Sequence, residues 1–106
     1  MKVGNLDSMT KGWFVGDFEP TIYKTSDVEV GVKKYKAGDH EKRHFHKIAT
    51  ELTLVVSGEI EMNNKRYKED DIIVMEPNET TDFLAVTETV IVIVKKPSTS
   101  NDKYYV

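Results

Sequence analysis

The chain has 106 residues, of which 39% are apolar and 31% are charged, and its formal net charge at pH 7 is −3. A chain of this size and composition predicts a single globular domain, residues 1–106. Acidic and basic residues are interspersed without a long run of one sign, which argues against a nucleic-acid partner. The sequence contains no cysteine, so disulfides, cysteine-ligated metals and a thiol nucleophile are excluded.

Both ends of the chain are predicted to be accessory segments. Residues 1–11 are polar without a clear period and predict an arm that docks on another surface, while residues 97–106 predict a tail that ends near two tyrosines. The N-terminal residues lack the apolar core of a secretory signal, and no stretch reaches the roughly 20 apolar residues that span a bilayer. We therefore expect a cytoplasmic protein with no membrane partner.

The first half of the chain carries strand signals. Trp13, Phe14 and Phe18 are interrupted by glycines and a proline, which favours short strands with bends over a helix. Residues 22–35 then alternate between apolar and charged side chains, which predicts a half-buried strand. The alternating positions are Val28, Val30 and Val32 on one face and Glu29 and Lys33 on the other.

The second half contains a predicted hairpin and further strands. Residues 59–67 alternate around Asn63 and Asn64, a pair that tolerates the positive φ of a tight turn. No apolar period of a long amphipathic helix occurs, so we predict an all-β protein of about eight to ten strands, arranged as a sandwich or small barrel. The remaining apolar runs lie at residues 71–75, 82–86 and 89–94.

The stretch between Gly38 and Gly58 carries the strongest functional signal. His44 and His46 are two residues apart, so on a β-strand both imidazoles project to the same face. Glu51 follows five residues later, and a turn after His46 lets the next strand bring its carboxylate beside the imidazoles. Two histidines and one carboxylate form a metal-ligand set that leaves positions open for water or substrate.

Strand parity also sorts the residues before the histidine pair. His40 and Lys42 share the parity of His44 and are candidates for the mouth of a pocket, where Lys42 would bind an anionic group of a substrate. A solvated turn is the favoured interpretation of both residues. Arg43 has the opposite parity, which predicts that it lies outside. Glu41 is expected to be ordinary surface.

The strand that carries Glu51 predicts a second subunit. If Glu51 faces the interior, the alternation directs Leu52, Leu54 and Val56 outward, although all three are large and apolar. The β-branched run at residues 89–94 leaves side chains outside in the same way. Little chain remains to cover them, so we expect a homodimer with twofold symmetry, in which a partner subunit or its N-terminal arm covers this face.

The stretch resembles the first motif of the cupin superfamily, in which a glycine, a His-x-His pair, a glutamate and a second glycine recur at fixed spacings. The residues that match those spacings are Gly38, His44, His46, Glu51 and Gly58. The resemblance implies a small single-domain cupin, whose fold is an antiparallel β-barrel of the double-stranded β-helix or jelly-roll type.

The second cupin motif aligns less completely. Pro77 is kept, whereas Asp70 and Glu79 stand at the family's two glycines. Asp82 stands where the family usually has a third histidine. Because aspartate is itself a metal ligand, the alignment implies that Asp82 is a fourth ligand or a general base.

The resemblance therefore implies a metal site and a pocket. A divalent metal, Fe(II) or Mn(II) with Zn or Ni as alternatives, would be held by His44, His46, Glu51 and Asp82. Asp82 and Glu51 are the predicted catalytic acid–base residues. The predicted walls of the substrate pocket are Lys42, Tyr35, Met62, Met75 and Leu84.

Other interpretations of these residues stay open from the sequence. The imidazoles and Glu51 are also compatible with a metal-free polar interior, and Asp82 with a partner that orients an imidazole. For most of the predicted pocket walls, core packing is the favoured interpretation. Trp13 and Phe14 favour core or dimer contacts over a stacking platform.

The leading functional prediction is a metal-binding small cupin, with enzymatic activity left open. As an enzyme it would act on a small polar or sugar-like molecule inside the barrel, by isomerisation or epimerisation or by O2-dependent oxidation, which suggests carbohydrate metabolism. The alternatives are a non-catalytic module that binds a sugar or metabolite, and a metal-free acid–base enzyme similar to sugar-nucleotide ketoisomerases. The fold alone does not decide among them.

Overall fold

The structure is a computed structural model that describes residues 1–106. It contains eleven β-strands and one turn of 3₁₀-helix, Leu6–Ser8. None of its helical segments has the length and hydropathy needed to cross a membrane. In chain order the strands are β1 (Trp13–Gly16), β2 (Tyr23–Lys24), β3 (Glu29–Tyr35), β4 (His40–His46), β5 (Thr50–Ser57), β6 (Glu59–Met62), β7 (Lys65–Lys68), β8 (Ile72–Met75), β9 (Thr81–Ala85), β10 (Thr89–Lys96) and β11 (Lys103–Tyr105).

The strands form two sheets that enclose the interior. The larger sheet has the order β2-β1-β3-β10-β5-β8 and the smaller one the order β11-β4-β9-β6-β7. Neighbouring strands are antiparallel except β1 and β2, which are parallel. The predicted all-β architecture is confirmed, with eleven strands where about eight to ten were expected.

The apolar core lies between the sheets and closes one end of the interior. Its members come from β5, β6, β9 and β10, none of which is an edge strand. Four of them also line the cavity described below, so the core forms the floor of that cavity. The core residues are Val55, Ile60, Met62, Phe83, Ala85, Ile91 and Ile93.

The hairpin predicted around residues 59–67 is confirmed. Strands β6 and β7 pair from Glu59 with Lys68 to Met62 with Lys65. Asn63 and Asn64 form the two-residue turn with φ values of 51° and 64°. Asparagine tolerates this left-handed conformation, which is why the pair fixes the hairpin's register.

The larger sheet carries charged side chains on its inner face beside the core residues Val55, Ile91 and Ile93, and its outer face is apolar. On β3, Glu29 and Lys33 line the interior, and Glu29 is only 7% exposed. Val30 and Val32 point to the opposite, outer face, because successive side chains alternate on a strand. The single strand predicted for residues 22–35 forms two strands, β2 and β3. The charged side chains of β3 face inward.

The same division continues across β5, β10 and β8. Glu51 turns inward, and Leu52, Leu54 and Val56 turn outward as their alternation predicted. Among the outer apolar residues, Ile72 is 65%, Val74 49% and Val56 43% exposed. We call this surface the outer apolar face; its cross-strand pairs are Val94 with Leu52, Val92 with Leu54, Leu52 with Val74, and Leu54 with Ile72.

The N-terminal arm packs on its own subunit. It lies against the outer side of β1 and β3, where Leu6 and Met9 share a groove with Phe14, Ile22 and Val32. The arm therefore covers one end of the outer apolar face. It leaves the β5 and β8 end of that face exposed.

A β-bulge in β4 changes the parity on which part of the pocket prediction depended. His40 pairs with Leu84 and Glu41 with Phe83, but His44 pairs with Thr81, so one extra residue is inserted between Glu41 and His44. Side chains on the two sides of the bulge therefore follow opposite parity. Because of this insertion, the side chain of Glu41 points toward the interior, and the side chain of Lys42, its neighbour in the bulge, does not.

Candidate functional site

A cavity of about 490 Å³ opens between the two sheets above the apolar core. His44, His46 and Glu51 line it together, as the spacing of the histidine pair and the following turn predicted. His44 is 4% and His46 is 7% exposed, so both imidazoles are buried in the wall. Their ring centroids lie 5.9 Å apart in an edge-on arrangement.

Both imidazoles are held by their Nδ1 atoms. Nδ1 of His44 lies 2.7 Å from the backbone oxygen of Lys42, and Nδ1 of His46 lies 3.0 Å from the backbone oxygen of Asp102. Because a carbonyl oxygen only accepts, each Nδ1 carries the hydrogen and donates it. This tautomer leaves Nε2 of each ring as the reactive nitrogen.

Glu51 is the nearest carboxylate to the histidine pair. Its Oε1 lies 3.9 Å from Nε2 of His46, and both side chains are largely buried. At this distance a proton can be shared between the carboxylate and the imidazole with a small movement of either side chain. The pair is therefore suited to acid–base chemistry on a molecule in the cavity.

Asp102 fixes the turn between β4 and β5 from the far end of the chain. Its carboxylate accepts hydrogen bonds from the backbone N–H groups of Lys47, Ile48 and Ala49 at 2.9–3.2 Å. Burial acts to raise the pKa of this carboxyl, but the three backbone donors outweigh burial and hold the pKa below its usual range. No local sequence signal marks this role, because Asp102 lies more than 50 residues from the turn that it holds.

The structure places Asp82 outside the cavity, not beside the histidine pair as the alignment implied. Thr81, Phe83 and Ala85 are the buried residues of β9, so the alternation places Asp82 on the outer side of the strand. There its Oδ1 accepts a hydrogen bond from the backbone N–H of Asn63 at 2.8 Å, in the turn of the β6–β7 hairpin. In this position Asp82 does not line the cavity, and Thr81 lines it opposite His44 instead.

Three of the predicted pocket walls, Leu84, Lys42 and Met75, do not line the cavity. Leu84 shares the outward parity of Asp82 on β9. Lys42 is exposed and does not line the cavity itself, because the β-bulge reverses its parity relative to His44. It lies in an open recess beside His40, and His40 does line the cavity. Met75 packs against the core and faces a small crevice behind the histidines.

The other two predicted walls, Tyr35 and Met62, line the cavity. Tyr35 packs on Phe83 with a ring-centroid distance of 4.8 Å. Burial raises the pKa of the Tyr35 phenol, and the negative charges of Glu51 and Asp39 raise it further. The phenol therefore stays protonated near neutral pH and is available as a hydrogen-bond donor.

Several cavity residues were missed by the sequence analysis. Glu41, expected at the surface, lines the cavity and contacts Lys103 of β11. Tyr105 of the same strand lies edge-on to His44, with ring centroids 6.3 Å apart. The tail thus forms a strand beside β4 and contributes to the site, although its sequence predicted only a loop-like segment.

The cavity wall offers only some of the donors that the predicted metal site requires. The two Nε2 atoms and the Glu51 carboxylate are suitable donor types. However, no three His, Cys, Asp or Glu side chains are arranged to hold a metal ion together, and the predicted fourth donor, Asp82, is outside. The side chains as they are arranged do not fit the predicted four-ligand site.

Comparison with known proteins supports the fold. No protein-family model matches the chain, and no curated protein sequence matches it significantly. Solved structures do match. An RmlC-like cupin from Shewanella frigidimarina has a TM-score of 0.67 at 16% identity, over 73% of this chain and 72% of that one.

Two further similar structures come from proteins with a stated activity. Pac13 from Streptomyces, a nucleoside dehydratase, has a TM-score of 0.65 at 18% identity, over 77% of this chain and 70% of that one. The DMSP lyase DddQ from Ruegeria pomeroyi has a TM-score of 0.71 at 13% identity, over 98% of this chain and 56% of that one. The chain has the double-stranded β-helix fold of the cupins, as its first motif implied.

Proposed function

We propose that this protein is an acid–base enzyme that isomerises or dehydrates a small polar substrate inside the barrel. The observation that carries the proposal is the pair formed by His46 and Glu51, 3.9 Å apart in the cavity wall. Each imidazole is fixed in one tautomer by a backbone carbonyl. A fixed tautomer with an unprotonated Nε2 is what a general base requires, and the same nitrogen acts as a general acid once it has taken up a proton.

The proposed reaction begins when the His46–Glu51 pair removes a proton from a carbon next to a carbonyl or carboxylate group. The electron pair of the broken C–H bond forms an enolate. In an isomerisation the proton returns to a neighbouring atom; in a dehydration an acid protonates a hydroxyl group on the next carbon, which leaves as water. Tyr35 and His44 line the same cavity and are the candidate acids.

The similar structures support this choice of reaction class. One is described as a nucleoside dehydratase and another as a DMSP lyase, so proteins of this fold include catalysts of elimination. The stronger support comes from this chain's own residues. Its buried acid–base pair remains intact although the residue aligned with the family's third histidine is turned away.

The experiment is a turnover screen against small sugar acids, hydroxy acids and ketoses, followed by proton NMR. We expect at least one substrate to be converted by the wild-type protein and not by His46→Ala or Glu51→Gln. Glu69→Gln, an exposed carboxylate in the turn after β7, is the matched control and should retain activity. Conversion that survives both site substitutions would contradict the proposal.

A metal-dependent reaction is the second candidate, favoured by one specific observation. Imidazoles that ligate metals are oriented by hydrogen bonds from their other nitrogen, which is the arrangement of His44 and His46. Fe(II) or Mn(II), with Zn or Ni as alternatives, would supply Lewis acidity or oxygen activation there. Elemental analysis separates the candidates: stoichiometric metal that is lost in His44→Ala supports this one, and its absence from both proteins supports the first.

A non-catalytic role in binding a sugar or metabolite is the outcome if a ligand binds and no conversion is found.

We also propose that the protein forms a homodimer. The outer apolar face carries no charge in its cross-strand pairs, so two copies related by a twofold axis can meet there without repulsion between like charges. A cytoplasmic location likewise remains a prediction from the sequence.

A further inference from the structure

One wall of the cavity carries positively charged side chains that the proposed acid–base step does not use. Four lysines line it, each from a different segment: Lys11 from the arm, Lys33 from β3, Lys95 from β10 and Lys103 from β11. The chain as a whole is acidic, with a formal net charge of −3. A concentration of positive charge in a cavity of an acidic protein favours an anionic ligand.

Carboxylates neutralise only part of this wall. The pairs are Lys95 with Glu29, whose Nζ and Oε2 atoms lie 3.7 Å apart, and Lys103 with Glu41. Neither Lys11 nor Lys33 has a carboxylate within ion-pair distance. No carboxylate therefore contacts these two ammonium groups directly, and the negative charge of Glu29 acts on Lys33 only from a greater distance.

Lys33 is the more strongly constrained of the two. Its Nζ donates a hydrogen bond to the backbone oxygen of Lys11 at 2.6 Å, which holds the ammonium group near the arm. Burial lowers the pKa of Lys33, and the charges of Lys11, Lys103 and Lys95 lower it further, to about 8. An anion beside Lys33 would relieve this repulsion and stabilise the charged ammonium.

An aromatic surface lies beside these ammonium groups. Nζ of Lys33 is 4.7 Å and Nζ of Lys95 is 5.5 Å from the centroid of the Trp13 ring. The indole lies directly over Gly31, where an added Cβ would be only 2.7 Å from the ring. Gly31 therefore makes room for a flat apolar surface between two cations.

We propose that Lys11, Lys33 and Trp13 form an anion-binding subsite, and that the ligand of this cavity is a small organic molecule bearing a carboxylate or phosphate group. The anionic group would contact the two unpaired ammonium groups, and the carbon skeleton would lie over the indole toward His46 and Glu51. The proposed ligand is the substrate class of the proposed enzyme. The proposal depends on the proposed function only in the assumption that the substrate binds in this cavity.

Trp13 is the single tryptophan of the chain, so its fluorescence reports on the subsite directly. The probes are D-glucuronate, inorganic phosphate and D-glucose, each titrated at constant ionic strength maintained with NaCl. Glucuronate and glucose differ in a carboxylate and a hydroxymethyl group, which isolates the charge. We expect a saturable fluorescence change with glucuronate, phosphate or both, and none with glucose. The more tightly bound anion identifies the group that the subsite prefers.

Variants test whether Lys33 carries the binding. Lys33→Met should weaken anion binding about tenfold or more, which corresponds to about 1.4 kcal/mol. Lys33→Arg, which keeps the charge, should retain most of it, and so should Lys65→Met, which removes an exposed lysine on β7. Far-UV circular dichroism checks that each variant is folded. If Lys33→Met does not fold, Lys11→Met takes its place, with the same weakening expected.

Two results would overturn the inference: no saturable change with either anion, or equal affinity in the wild type and the folded lysine-to-methionine variants. Neither result bears on the acid–base pair. That function fails separately, if turnover of a substrate survives His46→Ala and Glu51→Gln.

Discussion

The two faces of the six-stranded sheet differ in where charge lies, because the inner face combines charged residues with the core residues Val55, Ile91 and Ile93. The inner face carries Glu29, Lys33, Lys95 and Glu51, and all four line the cavity. The outer face carries branched apolar residues in cross-strand pairs over β10, β5 and β8. The comparison shows that alternation along a strand identifies residues that share a face, but it does not identify which face is inside.

The fold tolerates these charged residues on its inner face for two reasons. First, part of the charge inside is paired, since Nζ of Lys95 lies 3.7 Å from Oε2 of Glu29, which limits the cost of burying both groups. Second, the apolar core below the cavity buries Val55, Ile60 and Ala85 completely. The charged residues of the inner face lie above this core and do not interrupt it. Their charge therefore indicates a functional role rather than a contribution to stability.

The largest effect is expected from breaking the acid–base pair of the inner face. His46→Ala or Glu51→Gln should lower turnover by about 10²–10⁴-fold, the usual contribution of a general acid or base. The measurement is the initial rate of conversion of a substrate found in the screen. A decrease below about tenfold in both variants, with the fold intact, would show that the pair is not catalytic.

The next largest effect is expected at the support behind the histidines. Asp102→Ala should lower the free energy of unfolding by roughly 2–4 kcal/mol, because three backbone N–H groups lose a charged acceptor. Chemical denaturation measures the change, and Asp27→Ala, on an exposed aspartate, is the control.

The effect of Asp102 should also depend on pH. Its pKa is lowered in the folded protein from a usual value of 3.8, so its stabilisation is present above about pH 4 and is lost as the pH falls through the lower, folded-state pKa. The difference in stability between Asp102→Asn and the wild type should therefore shrink in acid. A difference that stays constant below pH 4 would contradict this account of the carboxylate.

The outer apolar face gives a third prediction. Leu54→Lys places a charge in the middle of the proposed interface twice, once from each subunit, and should raise the dimer dissociation constant about tenfold or more. Size-exclusion chromatography with light scattering measures the mass, and Lys68→Glu on β7 is the control. A wild-type chain that is a monomer at micromolar concentration would contradict the predicted homodimer.

The smallest effect is expected from the unpaired Lys33. In the unfolded chain it keeps its proton to about pH 10.5, but in the folded protein only to about pH 8. Over that interval the unfolded state binds more protons, so the contribution of Lys33 makes stability rise with pH. The charged groups that set this shift are Lys11, Lys103, Lys95 and Glu29.

Lys33→Met should remove that rise and slightly stabilise the protein at pH 7. Because Lys33 is only half-buried, solvent screens its charge, and we expect a change of less than about 1 kcal/mol. Denaturation curves at pH 7 and pH 10 measure the change, with Lys65→Met as the control. A variant that is less stable than the control at pH 7 would show that Lys33 is structural rather than poised for a ligand.

Much of the fold and half of the site follow from local sequence. The spacing of His44, His46 and Glu51 requires only strand alternation and one turn, and the structure brings these residues together. The hairpin at Asn63 and Asn64 depends on a local backbone preference and was likewise predictable. Features of this kind are set by residues that are neighbours in the chain.

The remainder of the site depends on features that alternation does not encode. The β-bulge before His44 exchanged the roles of Glu41 and Lys42, and a difference of one position on β9 placed Thr81 rather than Asp82 in the cavity. The contribution of the tail, through Asp102 and its strand, depends on a pairing between distant parts of the chain. Neither the bulge nor this pairing has a local sequence signal.

The central claim is that the charged inner face of the sheet is a ligand site. Its most direct test is a titration of ¹⁵N-labelled protein with D-glucuronate or phosphate, whichever binds more tightly in the fluorescence experiment, followed by two-dimensional NMR. We predict that the largest shifts occur at the Trp13 indole N–H, the backbone of β3 and β10, and the side chains of His44 and His46. Shifts confined to the outer apolar face, or no shifts at saturating ligand, would contradict the claim.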